Sequence, residues 1–197
     1  MAAYGARLIG ISSALSARTD NDLVARVVAA NDTAAYGELI RRHQSQVRNF
    51  LRKLTRDPAQ ADDLAQDCFL HAWEKMSAYS ARGSFIGWLL RIAYTTFLQS
   101  KRRSHRYAEV LQAAGQVADL ESGSYTRDTE EVSDLERLLA VLTDEERAIF
   151  VMSYACGLSH REIGESMQMP VGTVKSVIFR GKDKIRTRFE IEDHQHG

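Results

Sequence analysis

The sequence contains few residues that interrupt helices and few that form disulfides or bind metals. Its 197 residues include two prolines, Pro58 and Pro170, and two cysteines, Cys68 and Cys156. So few prolines favour a helical protein that is interrupted at two places. The cysteines lie far apart in apolar periodic segments, without the paired spacing of a disulfide framework or a zinc site. We therefore expect an all-α, cytoplasmic protein with buried, reduced thiols and no bound metal.

Long apolar runs and net charge are also absent. No stretch reaches the roughly 18 apolar residues of a membrane-spanning helix, so we expect no membrane insertion. The 26 basic and 26 acidic residues cancel, which by itself argues against nucleic-acid binding, but they are unevenly distributed. Residues 1–107 hold 16 Lys and Arg against 9 Asp and Glu, whereas residues 108–137 hold 2 against 8. The stretch from Lys175 to Arg188 contains six basic residues and one acidic residue, a pattern compatible with a nucleic-acid partner.

Apolar residues recur at three- and four-residue steps from Leu23 onward, which predicts amphipathic helices. The pattern stops at residues 56–58, a turn signal that also suits a proline near a helix start. The helix predicted over residues 59–76 has one apolar face and one polar, acidic face. A third apolar segment begins at Phe85 and ends in a basic run near residue 106.

The composition changes between residues 108 and 136, where large apolar residues become rare, glycine and serine appear, and acids dominate. This predicts a flexible acidic linker. We therefore expect two small helical domains joined by a flexible linker, at residues 20–107 and 137–190. Residues 1–19 would form a flexible N-terminal extension, and residues 191–197 a flexible tail.

The second domain has the pattern of a helix-turn-helix. Capping boxes at 143–146 and 159–162 predict two helix starts, and a turn before Val171 precedes a longer basic helix. Hydroxyl and cationic side chains on such a helix can reach base edges and phosphates in the major groove. A solvated basic surface on an ordinary bundle is the alternative. The residues predicted to bind DNA are Thr173, Lys175, Ser176, Phe179, Arg180, Lys182 and Arg186, above an apolar stripe of Val174, Val177, Ile178 and Ile185.

Two sets of motifs resemble the extracytoplasmic-function (ECF) sigma factors of the sigma-70 family. GLSHREIG at 157–164 and MPVGTVKS at 169–176 are similar to their C-terminal DNA-binding region. DDLAQDCFLHAW at 62–73 resembles their polymerase-binding helix, and FIGWLLRIA at 85–93 resembles their promoter-melting segment. The resemblance implies a sigma factor that directs core RNA polymerase to promoters. Its helix-turn-helix would recognise the −35 element, and its N-terminal domain would melt the −10 element.

The resemblance also implies the partners of the whole protein, of which the clamp helices would bind the acidic helix. They are core RNA polymerase, through the clamp helices of its largest subunit and the flap of its second largest, promoter DNA and an anti-sigma factor, with no cofactor or small-molecule substrate. The polymerase-binding motif of the helix at 62–73 falls on Asp63, Gln66 and Asp67. Independently, Leu70 shares their face, and an apolar side chain among carboxylates suits a partner surface that contains arginine. The alternative is a solvated acidic face with one exposed leucine.

The promoter-melting segment would hold the −10 element as single strands. Unstacked bases need a ring to stack on or a cation for their phosphates. The predicted contacts are Tyr79, Phe85, Trp88, Tyr94, Thr95, Gln99, Arg102 and Arg103. Phe85 and Trp88 are residue types that are more often part of a hydrophobic core than a stacking platform. Thr95 and Gln99 depart from the asparagine and aspartate usual in the family, so the resemblance does not give the promoter sequence.

Two other function classes compete with this interpretation. A stand-alone helix-turn-helix regulator would bind duplex DNA tightly without polymerase, and it would not need the helix at 62–73. An enzyme would need a catalytic constellation. The sequence shows no glycine-rich phosphate loop, nucleophile elbow or carboxylate–histidine cluster, so we expect no enzymatic activity.

Overall fold

A computed structural model describes residues 18–81, 83–113 and 134–195, and within those ranges it is helical, without strands. This confirms the all-α prediction for the described part of the chain. One turn of 3-10 helix, Met76–Ala78, follows the third helix. The α-helices are α1 (Asp20–Ala30), α2 (Thr33–Thr55), α3 (Pro58–Glu74), α4 (Phe85–Ala113), α5 (Asp134–Ala140), α6 (Asp144–Tyr154), α7 (His160–Met167) and α8 (Val171–Gln195).

Short polar side chains determine where the helices begin. The Thr143 hydroxyl accepts a hydrogen bond from the backbone N–H of Glu146 at 3.3 Å, and the Glu146 carboxylate accepts one from the backbone N–H of Thr143 at 3.0 Å. Ser159 repeats this arrangement at the start of α7. Both predicted capping boxes are therefore confirmed. Asp57 caps α3, whose first residue is Pro58, in agreement with the predicted turn.

Helices α1 to α4 form the first unit around a shared core. Helix α2 packs against the other three, and α3 packs against α4. The Tyr36 hydroxyl donates a hydrogen bond to the Phe69 carbonyl, and its ring meets the Trp73 ring edge-on at 4.9 Å. The largest fully buried side chains of this unit are Phe50, Leu23, Leu39, Leu51, Leu89 and Leu90.

Glu38 is a carboxylate that is only 5% exposed. Arg41 donates to its two oxygens at 2.7 and 2.9 Å, and Arg42 donates at 2.9 Å. Arg42 also binds Asp20, the first residue of α1, at 2.9 Å. These bonds offset the burial of charge and connect α1 to α2. The hydrogen bonds from Arg41 and Arg42 lower the pKa of Glu38 to about 2, against the opposing effect of burial.

Replacing Glu38 with glutamine is expected to lower stability at neutral pH and to reduce the loss of stability in acid. The pKa of Glu38 in the fold lies below the ordinary value of 4.5. Its charge therefore stabilises the fold above about pH 4.5, and this contribution disappears as the pH falls toward about 2. Urea unfolding followed by circular dichroism across that range measures the effect, with Glu74→Gln on exposed α3 surface as the control. An unchanged acid dependence would contradict this role for Glu38.

Helices α5 to α8 form the second unit, in which α8 packs against α6 and α7. Ile149, Met152, Ile163 and Val174 are fully buried in its core. The turn between α7 and α8 includes Gln168, whose φ of 54° is left-handed. A Cβ at Gly164 would lie 2.9 Å from the Met169 carbonyl oxygen, so glycine is needed where the turn closes. The predicted short helix, tight turn and longer helix are confirmed.

Replacing Gly181 with alanine is expected to destabilise the second unit by about 1–3 kcal/mol. A Cβ at Gly181 collides with the ring of Phe150, which is buried and cannot move without disturbing α6. The matched variant Gly172→Ala lies in the same helix, where a Cβ meets nothing within 4 Å. It should gain up to about 1 kcal/mol from helix propensity. Thermal unfolding compares the two variants, and equal stability would show that the core accommodates the added methyl group.

Helices extend into both ends of the predicted linker. Helix α4 continues to Ala113 and α5 begins at Asp134, so the predicted linker bounds of 108 and 136 are corrected to lie further inside. Residues 88–114 contain no glycine or proline, and the His105 imidazole lies 3.2 Å from the Glu109 carboxylate one turn away, so nothing ends the helix earlier. Residues 1–17 and 114–133 lie outside the described ranges. No helix within those ranges is long and apolar enough to cross a membrane.

Candidate polymerase and nucleic-acid interfaces

The outward face of α3 combines polar and acidic side chains with an exposed leucine. Asp63 and Gln66 are exposed, Asp67 is half-buried, and Leu70 is 64% exposed. The opposite face of the helix is buried against α2 and α4. Leucine stabilises a fold through burial, so a leucine this open contributes little to the packing of α3. The four predicted polymerase-binding residues therefore share one accessible surface.

Other residues of the motif at 62–73 make contacts within the protein that stabilise the fold. The Asp62 carboxylate lies 3.4 Å from the Arg52 guanidinium of α2. Cys68 is fully buried with its thiol 3.6 Å from the Leu89 carbonyl oxygen, and burial raises the pKa of the thiol to about 12. The predicted buried thiol is confirmed at Cys68. Cys156 is only half-buried, so the prediction of a buried thiol is wrong there, although partial burial still raises the pKa of its thiol to about 11.

Three aromatic rings meet at the start of α4. The centroids of Tyr79, Phe85 and Trp88 lie 5.3 to 5.6 Å from one another. Tyr79 and Trp88 are half-buried and keep part of each ring open to solvent, whereas Phe85 is only 4% exposed. Phe85 is therefore a core residue in this structure, which corrects its prediction as a stacking partner. Its ring supports the other two, and partly open rings of this kind suit unstacked bases.

Polar residues follow Trp88 along the same face of α4, at steps of three, four or seven residues. Gln99, Arg102 and the adjacent Arg103 are exposed. Thr95 is half-buried, and its hydroxyl donates to the backbone oxygen of Ile92 at 2.8 Å, within its own helix. Rings followed by amide and cationic side chains form a strip that can hold bases at one end and phosphates at the other.

Helix α8 has an apolar face and a cationic face. Val174, Val177 and Ile178 are buried and Ile185 is half-buried against the core, which confirms the predicted apolar stripe. The opposite face is open to solvent, and the Phe179 side chain is 74% exposed. The predicted DNA-binding residues exposed there are Thr173, Lys175, Ser176, Phe179 and Arg180.

The two remaining predicted residues of α8 have partners inside the second unit. The Lys182 ammonium lies 5.5 Å from the centroid of the Tyr154 ring. Arg186 pairs with Asp183 one turn earlier. Both cations remain exposed, and pairings of this kind are weak in water. A DNA phosphate can therefore replace either partner.

Comparison with known proteins decides which family has this arrangement. The model for Sigma-70 region 2 matches residues 39–107, and the model for Sigma-70 region 4 matches residues 133–185. The ECF RNA polymerase sigma factor SigE of Mycolicibacterium smegmatis is 32% identical over 167 residues, which are 80% of this chain and 64% of that protein. The ECF RNA polymerase sigma factor SigK of Mycobacterium bovis is 29% identical over 179 residues, 86% of this chain and 91% of that protein. The two region models together match more than half of the chain. The chain therefore belongs to the sigma-70 family. Within that family it is similar to ECF sigma factors.

A solved sigma factor has the same fold. The sigma factor RpoE of Bartonella quintana, in co-crystals with the anti-sigma factor NepR, matches with a TM-score of 0.61 and 19% identity. The match covers 79% of this chain and 97% of that one. In sigma-70 terms, most of α2 together with α3 and most of α4 is region 2, and α5 to α8 contain region 4.

Region 2 and region 4 of this sigma factor also touch each other, which the sequence did not predict. Gly87 and Arg91 of α4 contact Ser166 and Gln168 at the end of α7. Gly87 and Arg91 both lie in the motif predicted to melt the promoter. The regular spacing of apolar residues in that motif shows only that the helix is packed against something. It does not show that two different partners cover the helix.

Proposed function

We propose that this sigma factor binds core RNA polymerase through α3 and reads promoter DNA with α4 and α8. Residues 20–107 would bind polymerase and melt the −10 element, and residues 137–190 would recognise the −35 element. The observation that carries the proposal is Leu70, 64% exposed on a face with Asp63, Gln66 and Asp67. An open apolar side chain beside carboxylates is equipped for an interface with an apolar centre and a cationic rim. We assign this face to the clamp helices of the largest polymerase subunit.

At the −10 element, the open parts of Tyr79 and Trp88 would stack against unpaired bases. Gln99, Arg102 and Arg103 would hold the backbone beside them, since all three are exposed. Opening a duplex costs the stacking of each base, and stacking on a protein ring returns about 1–3 kcal/mol per base. The aromatic end of α4 would therefore bind the unpaired bases, and the cationic end would bind the DNA backbone during the same melting step.

At the −35 element, α8 would enter the major groove. Thr173, Ser176 and Arg180 are exposed on its outer face, where hydroxyl and guanidinium groups can reach base edges. Lys175, Lys182 and the other cations would contact phosphates, which position the helix without reading sequence.

Further partners follow from the family. The flap of the second-largest polymerase subunit would bind region 4. The Bartonella quintana protein is bound by an anti-sigma factor in its crystal, and we propose a partner of that class for this chain. We place the protein in the cytoplasm with its polymerase. Sigma factors are DNA-binding initiation factors that generally catalyse no reaction.

Run-off transcription with core polymerase tests the proposal. A library of promoters with varied −10 and −35 elements should yield transcripts only when both core polymerase and this protein are present. The same protein without polymerase should bind those promoters weakly in a gel-shift assay. Tight binding of duplex DNA without polymerase, together with no transcript, would instead identify a stand-alone helix-turn-helix regulator.

A further inference from the structure

A cleft lies where the end of α2 meets α5 and the end of α6. Helix α2 packs against α6, and the guanidinium of Arg147 in α6, which is only 8% exposed, donates to the Leu54 carbonyl oxygen of α2 at 3.4 Å. Beside this contact the cleft has a volume of about 450 Å³. Pockets that bind small molecules typically measure about 300–1,000 Å³. The cleft is therefore large enough for a small molecule, and we call it the α2–α5 cavity.

The α2 side of this cavity is cationic. Arg52 and Lys53 in the last turn of α2, together with Arg56 at its C-cap, line the cavity beside Asn49. Among the described residues that line it, Glu136 of α5 is the one acid, so three positive charges face one negative charge. A cleft whose lining has an excess of one sign of charge focuses the electric field and attracts ions of the opposite sign. The lining of the α2–α5 cavity therefore favours an anion.

The cations of the cavity are poorly compensated by their neighbours. Arg52 lies 3.4 Å from Asp62, but both side chains are close to half exposed, and exposed pairs of this kind are weak. Within residues 18–81, 83–113 and 134–195, Lys53 and Arg56 form no ion pair. Burial lowers the pKa of the Arg147 guanidinium, and the nearby charge of Arg56 lowers it further. The fold thus brings like charges together, and a bound anion would relieve their repulsion.

The end of a helix favours cations by itself, but this effect does not account for all three. The last turn of a helix carries partial negative charge, which interacts favourably with Arg52 and Lys53 on any side of α2. Arg56 occupies the C-cap with a left-handed φ of 60°, a conformation that usually belongs to glycine or asparagine. The chain therefore has a long cationic side chain at a position where the backbone disfavours one.

The α5 side of the cavity is mainly apolar. Leu135 is 43% exposed and Leu139 is buried, and Ala155, the exposed residue that follows α6, completes this side. Aliphatic side chains of this kind can pack against the flat face of a nucleobase. The exposed Asn49 at the α2 side has an amide that can both donate and accept hydrogen bonds. The cavity thus combines cations for phosphates with an apolar surface for a ring.

We propose that the α2–α5 cavity binds a nucleoside polyphosphate, with its phosphates on Arg52, Lys53 and Arg56 and its base against Leu135 and Leu139. Arg52 and Arg56 lie roughly one helical turn apart, about 5.4 Å along α2, so a chain of two or three phosphates can contact both. A guanidinium can bind a phosphate through two hydrogen bonds. The proposal goes beyond the sigma-factor function, because the residues of the cavity are distinct from those assigned to polymerase and DNA.

Calorimetric titration of the full chain with three kinds of ligand tests the proposal. ATP and GTP carry both phosphates and a base, tripolyphosphate carries no base, and adenosine and guanosine carry no phosphate. At about 0.1 M salt without added divalent cations, at least one of the nucleotides is expected to bind with a Kd below about 1 mM. Tripolyphosphate should bind at least about tenfold more weakly, because it lacks the contact with the leucines. The nucleosides should show no binding, because they lack the charge that the cations attract.

The variant Arg56→Gly separates binding from folding. Glycine suits the left-handed C-cap, so this variant should raise the midpoint of thermal unfolding, while the nucleotide affinity should fall at least about tenfold through the lost charge-assisted contact. The matched control is Asn31→Gly, since Asn31 is the exposed C-cap of α1 and has a similar left-handed φ of 48°. It changes the backbone preference in the same way and should leave the nucleotide affinity unchanged.

A charge reversal provides the second variant. Lys53→Glu should abolish nucleotide binding, whereas Lys75→Glu at the exposed C-cap of α3 makes the same change outside the cavity and should bind as the wild type does. The proposal is overturned if neither nucleotide binds the wild type. It is also overturned if Arg56→Gly and Lys53→Glu keep full affinity, because the nucleotides then bind at another cationic surface such as that of α8. Equal affinity for tripolyphosphate and the nucleotides would exclude a base against Leu135 and Leu139.

Discussion

Replacing Leu70 with arginine is expected to reduce the affinity for core RNA polymerase by about 30-fold or more and to bring run-off transcription close to background. The Leu70 side chain is 64% exposed, so the fold should tolerate the change. At an interface, the substitution removes an apolar anchor and introduces a cation that must lose its water, and central residues of this kind typically contribute about 2 kcal/mol or more. Fluorescence anisotropy of the labelled protein titrated with core polymerase measures the loss.

A matched variant separates this effect from a general effect of surface charge. Val28 on α1 is also an exposed apolar residue, at 51%, and it lies outside the proposed polymerase face. Val28→Arg should therefore bind polymerase and support transcription as the wild type does, while both variants unfold at similar temperatures. If Leu70→Arg binds core polymerase as tightly as the wild type, Leu70 does not lie in the interface. The acidic residues of α3 would then not surround an apolar contact.

The buried and exposed faces of α3 could be predicted from the sequence because only one face of this helix packs against the rest of the protein. Ala61, Leu64 and Cys68 recur at the helical period and are all buried, so the remaining positions had to face outward. The start of α3 could also be predicted from local sequence, since an N-cap aspartate at Asp57 followed by Pro58 favours a helix start. The same holds for the capping boxes and for the apolar stripe of α8.

The faces of α4 could not be predicted in this way. Its apolar residues cover most of its circumference, because one side packs on α2 and α3 and another on α6 and α7. A period of 3.6 residues cannot tell a residue that faces region 4 from one that faces DNA. Phe85 was therefore assigned to stacking although it is in the core, and Arg91 was passed over although it caps α7. Gly87 was the one signal available, since a glycine inside a helix often marks a close approach.

Replacing Arg180 with alanine is expected to weaken recognition of the −35 element at particular base pairs rather than uniformly. Arg180 is exposed on the outer face of α8, one turn beyond Ser176, where a guanidinium can form two hydrogen bonds with guanine. Such a pair discriminates by about 1–3 kcal/mol, which corresponds to a change of roughly 5- to 150-fold in relative promoter use. Sequencing the transcripts that holoenzyme makes from a −35 library measures this directly.

The control is Arg137→Ala, which removes the same charge from an exposed position on α5 of the same unit. It should leave the order of preferred −35 sequences unchanged. The position of the lost preference also distinguishes the roles of neighbouring residues, because Ser176 and Arg180 lie four residues apart and reach different base steps along the groove. If Arg180→Ala lowers transcription from all sequences by the same factor and reduces its salt dependence, Arg180 contacts a phosphate. The reading of bases by α8 would then rest on Thr173, Ser176 and Phe179.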